Sequence, residues 1–182
     1  MTKRTWLGIG LVAMSFAASS PVLARGEFSA DADFVSDSSD CVESEVHVFV
    51  RGGANDRGKI DASVVEVDYC KGQTLLDAQA KHDLAKGALR LKGSNVILDT
   101  TVQMLDAVTH NAISVKIAVE WVGSEAIIAA TKRDTESPGQ VVPLDRPAKR
   151  TLLVAEASGS VSGNGKDFVN GPADNAGITL AP

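Results

Sequence analysis

"AISVKIAVEWVG", residues 112–123, alternates almost without a break. Ile113, Val115, Ile117, Val119 and Trp121 share one parity; Ser114, Lys116 and Glu120 share the other. Successive side chains of a strand point to opposite faces, so this stretch reads as a strand with one buried and one wet side. The preceding run "NVILDTTVQML" (95–105) supplies a partner. A hairpin turning in "DAVTHN" (106–111) sets Met104 against Ile113, Val102 against Val115, Leu98 against Val119 and Val96 against Trp121. Every one of these residues is apolar. A slip of one position would turn Gln103 and Asp99 inward, so burial fixes the register. Val96, Leu98, Val102, Val115, Ile117, Val119 and Trp121 are therefore the expected core. The Trp121 indole closes one end of it and buries on the order of 200 Å².

The same period recurs on both sides of this hairpin. "VESEVHVFVR" (42–51) puts Val42, Val46, Val48 and Val50 on one face. "GGANDRG" (52–58) is a turn by composition, and "IDASVVEVDYC" (60–70) is the next strand. Further strands are expected in 74–80, 88–92, 126–131, 149–161 and 176–181, with "SGNG" (162–165) as a tight turn. The segment "LLDAQAKHDLAKGAL" (75–89) has some helical propensity, but Gly87 interrupts it and strand or loop is preferred. Eight or nine short strands without a long helix predict an all-β fold, an antiparallel β-sandwich of immunoglobulin-like or related type, in one domain over 41–182.

Residues 1–24 read as a secretory signal peptide. Lys3 and Arg4 precede an apolar run from Trp6 to Ala18, and Val22 and Ala24 are the small residues before the expected cut. The expectation is an exported protein, periplasmic or extracellular. Removing the leader from 182 residues leaves 158, and losing Lys3 and Arg4 takes the net charge from −5 to −7. That balance excludes a nucleic-acid partner, which needs a basic face. No later stretch is long and apolar enough to be a transmembrane segment. Cys41 and Cys70 form an even pair in an exported chain, hence a disulfide. Cys41 precedes 42–51 and Cys70 ends 60–70, so a hairpin folded in "GANDRG" brings them opposite each other at its open end.

"RGEFSADADFVSDSSD" (25–40) is acidic and alternating. Asp31, Asp33, Asp37 and Asp40 are weak candidates for calcium, because their spacing departs from the usual loop pattern. An acidic leader ending in an edge strand is the simpler expectation. A strand donated by 26–34 to a neighbouring subunit, as in a fimbrial or adhesin assembly, is the alternative. His47, His82 and His110 are too dispersed to spell a metal site, so no metal or other cofactor is expected. Ser, His and Asp all occur, but the chain has no G-x-S-x-G elbow, and catalysis is not expected. With Trp121 and Phe49 assigned to the core, few aromatics remain for a sugar platform. The loop "KRDTESPGQVVPLDRPAK" (132–149) reads first as a crossover from one sheet to the other, and with Val141, Val142 and Leu144 it is also the best candidate for a recognition surface. The sequence thus predicts an exported, monomeric, non-enzymatic β protein that binds an unidentified protein or surface partner. Strand donation and a secreted hydrolase with an unrecognised site are the alternatives.

Overall fold

A computed structural model describes residues 27–53, 58–131 and 149–180. Ten strands follow one another: β1 (Phe28–Ser39), β2 (Val42–Gly52), β3 (Lys59–Asp68), β4 (Gln73–Asp83), β5 (Leu89–Lys92), β6 (Asn95–Asp106), β7 (Ala112–Thr131), β8 (Lys149–Gly163), β9 (Lys166–Pro172) and β10 (Asn175–Leu180). Among the described residues there is no helix. The all-β antiparallel architecture agrees with the sequence. The segment around 75–83 is strand rather than helix, and 112–131 is one long strand where two short ones were expected.

All ten strands belong to one sheet of order β10-β1-β2-β3-β4-β6-β7-β8-β9, and β10 also pairs with β8. The ladder therefore returns on itself through eight strands: β1, β2, β3, β4, β6, β7, β8 and β10. Neighbours in the ring follow chain order, a meander rather than the strand-skipping order of an immunoglobulin domain. Two places in the ring are narrow. β4 meets β6 at only Ala78↔Asp106 and Gln79↔Leu105, and β10 meets β8 from Gly177↔Val154 to Leu180↔Thr151. β9 and β10 run in the same direction along β8, so they act as one bent partner strand. Ala173 N, donating to Ala157 O at 2.8 Å, carries the ladder across the bend.

The central hairpin has the register that burial demands: Met104↔Ile113, Val102↔Val115, Leu98↔Val119 and Val96↔Trp121. All seven expected core residues are buried. From the opposite half of the ring, Ala30, Ala32, Phe34, Val46, Val48, Val50, Ile60 and Val64 face the same interior. Trp121 is fully buried, and its Nε1 donates to Asp31 O on β1 at 2.7 Å. The indole thus links strands from opposite halves and satisfies the one polar atom it brings inside.

β1 is not a sheet edge over Phe28 to Asp33. It pairs there with β2 on one side and β10 on the other. This corrects the expectation of an edge strand in 25–40, which saw the alternation but not the C-terminal partner. The Cys41–Cys70 disulfide forms with Cα atoms 5.3 Å apart, at the open end of the β2–β3 hairpin. "SGNG" makes the β8–β9 turn, with Asn164 and Gly165 at φ 53° and 75°, the left-handed pair that a two-residue hairpin needs.

Candidate functional site

The outer face of β10-β1-β2-β3-β4 collects the polar chemistry of the described residues. Cross-strand pairing lays it out in rows. One row reads Gly177, Asp31, Phe49, Asp61, Lys81; the next reads Asn175, Asp33, His47, Ser63, Gln79. On the other side of the Phe49 row lie Thr179, Ser29, Arg51, Lys59 and Asp83. These residues face outward because their neighbours along each strand, such as Ala32, Val48 and Ala62, fill the interior.

Phe49 is the clearest departure from the expected core. It lies half-buried on the outer face, with the Arg51 guanidinium 5.3 Å from its ring centroid. This distance suits a cation–π contact. Ion pairs flank it, Lys81 to Asp61 at 3.1 Å and Lys59 to Asp83 at 3.7 Å. Together with His82 these residues line a depression of about 370 Å³. His82 Nε2 lies 2.9 Å from Gln103 O, bridging the stretch where β4 and β6 do not pair.

In the neighbouring row, His47 Nδ1 and Asp33 Oδ1 are 2.5 Å apart, with about half of each side chain exposed. Asn175 Nδ2 donates to the other Asp33 oxygen at 3.4 Å, and Asp174 Oδ2 accepts from Val35 N at 2.7 Å. Burial pushes the Asp31 carboxyl up from its ordinary value, the nearby Asp33 charge adds to this, and His47 opposes it. Asp33, His47, Ser63 and Glu45 line a second, smaller depression of about 210 Å³.

Of the four candidate calcium ligands, Asp31 and Asp33 share this face. Asp40 lies exposed in the β1–β2 turn, and the Asp37 side chain is outside the described residues. The pairing spreads the four along the strand and its turn rather than gathering them around a point. The one compact group of metal-type side chains among the described residues is Cys41, Asp68 and Cys70, whose sulfurs are already joined to each other. Asp68 instead accepts from Lys71 Nζ at 2.9 Å and Lys71 N at 3.0 Å, and these bonds hold its carboxyl below the ordinary range. His110 sits in the β6–β7 turn at φ 58°, away from the other histidines. Val141, Val142, Leu144 and residues 1–24 lie outside the described residues. Sequence reading missed the Phe49 and His47 rows because each row joins positions 12 to 20 apart along β1–β4, and about 140 apart between β1 and β10, all on separate strands. Outward parity was the available signal for Phe49, and it was outweighed by the general tendency of phenylalanine toward the core. Among known proteins, no family model, no curated sequence and no solved structure matches this chain.

Proposed function

We propose that this is an exported protein that works by binding, and that its recognition surface is the outer face of β1–β4. The observation that carries this reading is Phe49, set outward among charged side chains with Arg51 stacked against it. Aromatic residues and arginine are the types that dominate binding energy at interfaces, and here they sit beside a depression on a sheet held rigid from both sides. Charges of both signs around the ring suit a partner surface that is polar and mixed in charge. The outer surface of β7–β8 offers a contrasting depression lined by Ala118, Ser158, Gly159, Ser160 and Gly171, with Glu120 as its only charged side chain.

A photo-crosslinking residue in place of Phe49, compared with one in place of Lys116 on the far face, tests this in the exporting cell. The reading expects a discrete adduct from position 49 and none from position 116. Phe49→Ala and Arg51→Ala should abolish binding to the captured partner while leaving the melting temperature within the small range usual for surface changes. Equal adducts from both positions, or a partner indifferent to both alanine variants, would place recognition elsewhere.

A further inference from the structure

The His47 row carries more than recognition requires. Three adjacent strands put Asp33, His47 and Ser63 directly opposite one another, Asp33↔His47 on β1–β2 and His47↔Ser63 on β2–β3. All three line the same 210 Å³ depression. Asp33 holds His47 through Nδ1, which is the nitrogen that leaves Nε2 for a substrate or nucleophile. Neither His47 Nε2 nor Ser63 Oγ has a hydrogen-bond partner among the described residues. Directly opposed residues carry Cβ atoms roughly 4.5–5.5 Å apart, a spacing that a hydroxyl and an imidazole can close with one rotamer change. On the far side of Ser63 stands Gln79, whose amide makes only a long 3.4 Å bond to Asp77 Oδ1.

We propose that Ser63 is a nucleophile for acyl transfer, with His47 as its general base and Asp33 as the residue that positions the imidazole, acting on small, accessible carboxylic esters. Ser63 Oγ forms a bond to the acyl carbon as its proton passes to His47 Nε2. The ester C–O bond then breaks and the leaving alkoxide takes that proton from His47. Water next attacks the acyl-serine and gives a proton to His47, which returns it to Ser63 Oγ as the acid leaves. The Gln79 amide is the side-chain donor in register to face the oxyanion. This inference goes beyond the binding reading and does not rest on it. It also departs from the sequence-based expectation of a protein without catalysis, because 14- and 16-residue separations across three strands carry no local motif.

A fluorophosphonate probe tests the nucleophile directly, with intact mass and peptide mapping as readouts on the exported protein. The expected result is one adduct, on Ser63, absent in Ser63→Ala and slowed on the order of a hundredfold or more in His47→Ala. Hydrolysis of p-nitrophenyl acetate should be lost in the same two variants. Asp33→Asn should slow labelling, and Asp33→Glu, which keeps a carboxylate opposite His47, should restore part of the rate. A purely structural Asp33 would leave the labelling rate unchanged in Asp33→Asn so long as the fold is kept. All three side chains face outward, so the variants should keep the wild-type melting transition. Should His47→Ala melt early, His47→Gln serves in its place. No adduct on Ser63, labelling of another serine that persists in Ser63→Ala, or equal rates in wild type and the His47 variant would overturn the proposal. Loss of partner binding in Phe49→Ala bears on the recognition face alone, so the two readings fail separately.

Discussion

Trp121 does two jobs at one position. Its ring fills the interior beside Val96, and its N–H reaches across to the Asp31 carbonyl. In protein lacking residues 1–24 it is the only tryptophan, so fluorescence reports this site alone. Native emission should be blue-shifted and resist acrylamide, and Trp121→Ala should cost roughly 3–5 kcal/mol in denaturant unfolding. Red native emission with easy quenching would contradict this placement. Asp106 makes a different residue-scale case. Its buried carboxylate accepts from Thr109 Oγ1, Val108 N, Thr109 N and Asp77 N, organising the β6–β7 turn and the narrow β4–β6 junction. Those bonds, the Thr109 hydroxyl first, hold its pKa below the ordinary value against the opposing effect of burial. Because the folded pKa is depressed, the stabilisation is present above the unfolded value of about 4 and fades as pH falls through the folded one. Asp106→Asn should therefore lower stability at pH 7 by roughly 1–2 kcal/mol. The gap from wild type should begin to shrink as pH falls below about 4, where the unfolded chain takes up its proton, and close once pH passes the depressed native value. A pH-independent gap would show that shape rather than charge matters there.

At the scale of elements, the β6–β7 hairpin was fully legible in the sequence. Two alternating apolar runs around one turn leave a single register that buries both. The β2–β3 hairpin was legible too, since Cys41 and Cys70 sit symmetrically about its turn. The ladder runs from Val42↔Asp68 to Arg51↔Lys59, just inside the disulfide. Closing this loop should contribute about 3–4 kcal/mol. Denatured protein should titrate with no thiols before reduction and two after it, and two free thiols at the outset would remove the cross-link. β9 was less legible because its apolar content is brief: Phe168 and Val169 are buried in succession at a register shift beside Val161↔Val169, so no alternation shows. The pairing of β1 with β10 was not legible at all. It joins Phe28 to Leu180, and nothing local in either segment names the other. The candidate site shares that difficulty, because its rows arise only when five strands come into register.

At the scale of the whole molecule, closure of the ring decides which functional readings are open. A strand-donating subunit keeps its donor segment available to a neighbour. Here Phe28, Ala30, Ala32 and Phe34 are buried in the chain's own interior, and the backbone from Phe28 to Asp33 is paired on both sides. Closure also places Asp33, Phe49 and His47 on backbone that is paired on both sides. Native-state amide exchange by NMR tests this most directly. If the ring is closed, amides of Ala30, Ala32 and Ile178 should exchange only through global unfolding, with the same free energy as Val115 and Val119 in β7. If β1 or β10 exchanges through a cheaper local opening while β6 and β7 stay protected, the ring is not closed. The proposed self-contained binding protein would then give way to a strand-donating one.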